Sequence, residues 1–468
     1  MLAEVETQES PHPPIESLPP EILSEIFLLV IERPYRIFGH LYRGPQLLVR
    51  VCRLWRDIAQ NCPALWSSFM VHWPENRQEV VGAKLLLDTL QQTGRRGLTM
   101  TIFLSDDFPS SIFKALVQHS SQWEDVHLPT LPRTQSAPQN LPPLHLPSLK
   151  SLVLGRQHSV EDLITKLSMF KIAPNLRSVV FHFHNTPSSD FDPSVIQAPW
   201  WQLTRLSMSL GLTGDSSMEA SIEVLRLCPN LETLREETIL NPDSGNTTVT
   251  LRKLRSFSVK SPQLLNYLDY PVLEHLSILP RYDIPLSVPT LSQLARSGCR
   301  LHSLHIWLMC QLEHPKDLFS CMPHLCKLHL DMEYYGTDTL ELLECLGLDD
   351  MNSTLPNLNV LELKVQELFT GEALSEEIGE LLVRIIDERR IIPRGSQVPQ
   401  LRQVCIRCCK AGVEGVGGKE ELGDQTARNL RALSNIDCLK AFKAEGLDLS
   451  IIVEQENTNG RRKDCVFL

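Results

Sequence analysis

The chain of 468 residues has no long apolar run, no basic surplus, no cysteine framework and few aromatic residues. Each absence excludes something. No apolar stretch approaches the ~18 residues that a membrane-crossing helix needs. The acidic, polar first residues do not read as a secretory signal. The formal net charge is -11, which leaves no basic footprint for nucleic acid. The 13 Cys are scattered, odd in number and without framework spacing, the pattern of buried thiols in a reducing compartment such as cytoplasm or nucleus. Two Asn-x-Thr sequons, at Asn246 and Asn352, arise by chance often enough to carry no weight.

Reactive constellations are missing as well. Cys405-x-x-Cys408-Cys409 has no second pair at zinc-finger spacing, and Cys405 falls inside a predicted strand. Cys321, His324, Cys326 and His329 straddle another strand and are not expected to converge. His182 and His184 share one strand face. The Gly-rich stretch from Gly412 to Lys419 lacks the Gly-x4-Gly-Lys-Ser/Thr that cradles phosphate, with Val at 413 and Glu at 420. There is no nucleophile elbow, no His-Glu-x-x-His and no dinucleotide fingerprint. The sequence therefore predicts no catalytic residue, no metal and no cofactor.

What is present falls into two regimes. Between residues 15 and 72 six Arg stand against four Glu and one Asp, so this stretch does not share the overall acidity. Pro19 and Pro20 belong at or before a first helical turn, because they fix φ and lack the N–H. Glu21 follows, where a carboxylate favours a helix N-terminus. Ile22, Leu23, Ile26, Phe27 and Val30 then form one apolar stripe. Pro34, Gly39 and Gly44 interrupt the pattern. A second helix is expected to carry Leu47, Leu48, Val51, Cys52, Trp55 and Ile58 on one face, with Arg50, Arg53 and Arg56 opposite. Pro63 and Trp66 close the unit. By periodicity alone it is a small helical hairpin packed on the rest of the chain.

The identities go further. Leu-Pro-x-Glu-Ile-Leu-x-x-Ile-Phe, then Val-Cys-x-x-Trp-x-x-Ile-Ala and Pro-x-Leu-Trp, resembles the F-box, and most closely the F-box proteins of mushroom-forming fungi. The match covers about 50 residues and both halves of the motif, apart from a long insert between Glu32 and Gly44. The resemblance implies docking on the Skp adaptor and, through it, on a cullin scaffold of a ubiquitin ligase. The positions that match are Leu18, Pro19, Ile22, Leu23, Ile26, Phe27, Val51, Cys52 and Trp55. Helices this short cannot bury so many apolar groups among themselves, so a partner is expected to cover the remainder.

Behind this module a phrase recurs: Leu-x-x-Leu-x-apolar. It starts at Leu149, Leu176, Leu203, Leu231, Leu254, Leu273, Leu301, Leu325, Leu358 and Leu401, and Trp123 with Val126 and Leu128 keeps the same spacing. Seven of the ten Leu starts have Pro two residues earlier. Most intervals lie near the 20–29 residues of leucine-rich repeats. Numbering the first Leu as zero, positions +3 and +5 alternate along a short strand and point inward. The predicted fold is α/β: a short all-helical F-box, then a leucine-rich-repeat solenoid with a parallel sheet on the concave side and helices and loops on the convex side. No Asn follows the third apolar position, so the repeats are irregular. Leu231-x-x-Leu234-x-Glu236 ends on a carboxylate, which predicts a frayed strand. Helices are expected near Ser159–Leu167, Ser216–Leu227 and Glu372–Asp387. The expected domains are a disordered N-terminus (1–14), the F-box (15–72), transition elements (73–122), the repeats (123–410), a loop and terminal helical segment (411–454) and a tail (455–468).

On the exposed face, positions +2 and +4 are small and polar in the early repeats. They become basic or histidine-rich between residues 275 and 329. His275, His305, Lys327 and His329 are read as contributors to a client-binding site, the alternative being an ordinary solvated face. The end, Arg461-Arg462-Lys463 and then Cys465-Val466-Phe467-Leu468, fits a prenylation pattern with a basic patch beside it. A lipid on Cys465 would bring the chain to a membrane; without one the ending is a plain tail. The expected function is that of a non-catalytic substrate-recognition subunit of a Skp–cullin–F-box ligase, holding an unknown client protein. The alternative is a leucine-rich-repeat scaffold or F-box protein acting outside a ligase. A catalytic α/β protein comes third, for want of a convergent site.

Overall fold

A computed structural model describes residues 15, 18–38, 44–73, 79–103, 108–130, 144–157, 169–183, 198–210, 216–238, 240–241, 248–279, 293–308, 315–332, 337–347, 355–367, 376–390, 401–410, 437–456 and 462–466. The expected disordered terminus, the helix near Ser159–Leu167 and the Gly412–Lys419 loop lie outside them. The chain divides into two compact units, Met1–Pro187 with Phe191–Leu203, and Ser188–Asp190 with Thr204–Leu468.

The first unit opens with helices α1 (Pro20–Val30), α2 (Pro45–Leu48), α3 (Arg53–Gln60) and α4 (Pro63–Trp66). Six parallel strands follow one another across its sheet: β1 (Tyr35–Arg36), β2 (Ser68–His72), β3 (Leu98–Phe103), β4 (Trp123–Thr130), β5 (Ser151–Gln157) and β6 (Ser178–Phe183). Helices α5 (Glu79–Gln92) and α6 (Ser110–Gln118) connect β2 to β3 and β3 to β4. Parallel neighbours need such crossovers, because a two-residue hairpin cannot join them. The ladder therefore begins well upstream of Trp123. Tyr35 pairs with Phe69, Phe69 with Met100, Met100 with Val126, and Val126 with Leu152. The long insert after Glu32 thus supplies the first strand. Tyr35 donates its hydroxyl to the Trp66 carbonyl at 3.3 Å, and burial pushes its phenol up.

The second unit carries β7 (Arg205–Leu210), β8 (Ser216–Ser217), β9 (Thr233–Glu236), β10 (Leu240–Asn241), β11 (Val249–Thr250), β12 (Ser256–Val259), β13 (Leu268–Asp269), β14 (His275–Ile278), β15 (Ser303–Leu308), β16 (Lys327–Met332), β17 (Val360–Glu367), β18 (Gln403–Lys410), β19 (Asp448–Glu456) and β20 (Arg462–Val466). Its main sheet runs β7-β9-β12-β14-β15-β16-β17-β18-β19-β20. Every pair is parallel except the last, where β20 turns back on β19. Helices at Met218–Arg226, Pro315–Ser320, Thr337–Glu344, Glu376–Arg390 and Asp437–Ala444 lie between strands in sequence. Cys465 pairs with Val453 in the closing strand. Among the described residues no helix is long and apolar enough to cross a membrane.

The register is the phrase itself. Position +3 stacks on +3 along Leu276, Leu304, Leu328, Leu361, Val404 and Leu449, and +5 on +5 along Ile278, Ile306, Leu330, Leu363, Ile406 and Ile451. All twelve are buried. Each such side chain removed from water contributes roughly 1.5–3 kcal/mol, so the two rows form the main core. The recurrent Pro has a local cause. The N–H of the first Leu bonds the carbonyl three residues earlier, as in Leu149 to Leu146, Leu176 to Ala173, Leu231 to Cys228, Leu273 to Tyr270, Leu325 to Met322 and Leu358 to Leu355. Pro two residues before Leu sits at the second position of that β-turn, where its fixed φ is favoured. The carbonyl residue is itself buried in each case, a further apolar position of the repeat.

Glu236 does not fray its strand. It stands in register between Met208 and Val259, in the +5 row, and is 1% exposed. Its Oε1 accepts the Thr238 N–H at 2.9 Å. Burial pushes the carboxyl up to about 8, against the opposing pull of the Thr238 bonds and the Lys260 charge. At neutral pH the group is therefore mainly uncharged, which is why an acid is tolerated among apolar neighbours. From the ordinary value of 4.5 up to about 8 the folded chain holds a proton that the unfolded chain has lost. Stability must fall through that window, by at most about 1.4 kcal/mol per pH unit. The stability difference between the wild type and Glu236→Gln, from denaturant titrations at pH 5 to 8, should decline as pH rises; a constant difference would mean that the carboxyl is ionised in the fold.

Candidate functional site

Two surfaces present the residues singled out by sequence. The first is the helical front. Helix α1 starts after Pro19, with Pro20 in its first turn, and has no side-chain cap. Leu23, Phe27 and Ile31 turn inward and join Leu48, Ile58, Ala59, Leu65 and Trp66 in one core cluster. The neighbouring stripe stays outside: Ile22 is 49% exposed, Ile26 is half-buried and Leu29 is 85% exposed. The single helix expected over Leu47–Ile58 is broken. Cys52 is extended, with φ -153° and ψ 177°, and its Sγ accepts the Trp55 N–H at 3.5 Å, so it caps α3. Arg56 Nε holds the Val49 carbonyl at 2.9 Å across the break. A thiol bond to the backbone thus replaces a helical one, and α2 and α3 become separate pieces.

The nine matched positions therefore divide. Pro19, Ile22 and Val51 are exposed, and Leu18, Ile26, Cys52 and Trp55 are half-buried. Leu23 and Phe27 are fully buried and unavailable to a partner; they shape the module instead. The Phe27 ring lies 4.8 Å from the Trp55 ring at 52°, which fixes the attitude of the tryptophan. The Trp66 indole donates to the Ala59 carbonyl at 2.7 Å and locks α4 onto α3.

The second surface is the outward face of β14 to β17. Parallel pairing puts His305 opposite His329 and His329 opposite Glu362. The two imidazoles stack, with centroids 4.1 Å apart and planes at 18°. Asp331, two residues along β16, accepts from His329 Nε2 at 2.7 Å. His305 Nε2 approaches the other Asp331 oxygen to 3.4 Å without an aligned hydrogen bond. His329 Nδ1 lies 3.3 Å from Glu362 Oε2, Lys327 Nζ 2.7 Å from Glu362 Oε1, and Lys364 Nζ 3.5 Å from Asp331 Oδ2. Asp331 is 13% exposed. Burial alone would push its carboxyl up; contacts from His305 and His329 and the charge of Lys364 outweigh that and hold it well below the usual range.

Of the four residues proposed as client contacts, the structure brings His305, Lys327 and His329 into this network. His275 is exposed and stands apart, its register partner being Ser303, beyond which comes Lys327. Asp331, Glu362 and Lys364 complete the network. Glu362 sits in the +4 column already legible in the sequence. Asp331 and Lys364 were missed because the phrase stops at +5, whereas β16 runs on to Met332 and β17 to Glu367. The arrangement can bind polar or ionic groups. It has no nucleophile set against a base.

No family model matches the chain, and no curated protein does either. Among solved structures, one similar chain belongs to the crystal structure of a TLR13–ssRNA13 complex, at 13% identity and a TM-score of 0.32, covering 66% of this chain and 46% of that one. The chain thus spans under half the length of that protein. The fold assignment rests on the strand register and the repeated phrase.

Removing the central carboxylate should expose its weight. In chelator-treated protein at pH 7, Asp331→Asn should cost about 1.5–2 kcal/mol, the low part of the range for bonds to a charged group because the partners keep access to water. A carboxyl held down by folding contributes stability above its ordinary 3.8 and loses it as pH falls. The gap between wild type and Asp331→Asn should therefore narrow from pH 7 to pH 3 in denaturant titrations. A gap that stayed constant would show that the network does not bias this carboxyl.

Proposed function

We propose that the chain is a non-catalytic substrate-recognition subunit of a Skp–cullin–F-box ubiquitin ligase. The helical front docks on the Skp adaptor, and the outward face of the sheet holds a client protein. The protein itself makes and breaks no bond. It raises the local concentration of the client near the ubiquitin-charged enzyme, an effect of tethering.

The observation that carries this reading is the split of the apolar residues on α1 into two stripes. One is satisfied inside the module and the other faces water; Val51, a further matched position, is exposed as well. A monomer gains nothing from exposing Ile22 and Leu29, and such a patch fits an interface. The residue identities are those expected of an F-box. For the client, the support is a face lined with alternating imidazole, carboxylate and ammonium groups, which suits polar side chains of a partner.

Two experiments test the two halves. Ile22 and Val51 are both exposed, so in Ile22→Asp and Val51→Asp the melting temperature should change little. Binding to purified Skp adaptor should weaken by about 100-fold, equivalent to about 2.7 kcal/mol at an interface centre. Unchanged affinity in both variants would overturn the docking assignment. For the other half, Lys327→Glu combined with His329→Glu should reduce the proteins marked by proximity labelling, while adaptor binding persists. An identical labelling profile would remove this face from client recognition.

A further inference from the structure

Among the described residues, His305, His329 and Asp331 form the one group of three side chains whose metal-type ligand atoms all lie within 4.8 Å of one another. The fold causes this. His305 and His329 are register partners on adjacent parallel strands, whose backbones run about 4.8 Å apart. Asp331 follows His329 by two residues and so leaves the same face of β16.

The hydrogen bonding of the group does not close. Both nitrogens of His329 face carboxylate oxygens, Nε2 at 2.7 Å from Asp331 Oδ1 and Nδ1 at 3.3 Å from Glu362 Oε2. A neutral imidazole has one N–H and one lone pair. Whichever tautomer is present, one of these approaches sets a lone pair against a lone pair. A metal ion set among the ring nitrogens and the Asp331 carboxylate removes that opposition. His305 Nε2 is a buried atom without a hydrogen-bond partner, and it points at the same carboxylate. A metal ion would engage both rings and the carboxylate at once.

We propose that His305 Nε2, His329 Nε2 and the Asp331 carboxylate bind a divalent transition-metal ion of the zinc class, with the fourth position open to the outside of the sheet. Two imidazoles and one carboxylate suit that class, and three protein ligands with one vacancy form an exchangeable site rather than a closed structural one. Zinc–ligand distances near 2.0–2.1 Å put tetrahedral ligand atoms about 3.3 Å apart. The 3.4 Å between His305 Nε2 and Asp331 Oδ2 already matches this. The 2.7 Å pair must open slightly and one ring must turn out of the stack. Lys364 must withdraw from Asp331, and at 30% exposure it has water to enter. Glu362 on His329 Nδ1 is then the outer carboxylate that orients a metal-bound imidazole, itself steadied by Lys327. This assignment does not depend on the ligase reading.

The test uses the full chain, stripped of metal and titrated with zinc against a chromophoric chelator. The 13 Cys also bind zinc, but equally in every variant, so differences between variants are what count. Wild type should bind one equivalent that is lost, or weakened more than about 10-fold, in His305→Asn and Asp331→Asn. Glu362→Gln should weaken it about 10–100-fold, as outer-shell losses do. Lys364→Met should keep or tighten it, and this variant removes no ligand. The visible absorption of the chain loaded with one equivalent of cobalt(II), which thiols do not reduce, should lose intensity in His305→Asn and Asp331→Asn. Equal stoichiometry and affinity across the variants, or a cobalt spectrum unchanged by them, would overturn the proposal.

Discussion

The parallel register that lays the fourth residue of each phrase on the fourth residue of the next is the constraint on which the rest depends. It stacks Leu304 on Leu328 and Leu328 on Leu361, and every other row follows from it. Side chains alternate across a strand, so a slip of one residue would bring the apolar rows to the surface and the histidines to the core. Burial of two rows therefore determines where the polar residues emerge. The stacking of His305 on His329 and the approach of Glu362 are by-products of leucines packing on the opposite face.

The same register explains how two acids in one sheet come to opposite states. Glu236 occupies an inward position, with a backbone N–H and a distant lysine as its compensation, and it is driven toward the neutral form. Asp331 occupies an outward position, with two imidazoles and a lysine around it, and is held ionised. The side of the strand, not the residue type, decides the charge.

At the helical front the governing fact is geometric. An 11-residue helix with apolar residues on more than one stripe can bury only one of them in a small module. Leu23 and Phe27 take the inside, while Ile22 and Leu29 remain out. The first strand of the ladder, Tyr35–Arg36, arises within this same stretch, so the front is built into the sheet rather than strung ahead of it.

Much of this was legible in the residues. The phrase spacing specified the strands, their parallel order and the inward rows, because a period of two with one buried face allows one register. It also located the polar columns, and the apolar stripe after Pro19 and Pro20 located helix α1. Residues with weaker local signals escaped it. The alternation from Leu98 to Leu104 marks a strand, but Tyr35 and Phe69 sit in the +3 row without the leucine phrase around them, so the ladder's beginning could be seen only through their pairing. The helix break at Cys52 depends on a thiol finding one N–H, which periodicity does not encode. The sequence by itself determined which side chains face in and which face out, since that follows from spacing along one strand. Only the tertiary structure decided which outward residues meet. The meeting of His305, His329 and Asp331 joins two strands that the helix Pro315–Ser320 separates in sequence, and contact across strands depends on register, not on distance along the chain.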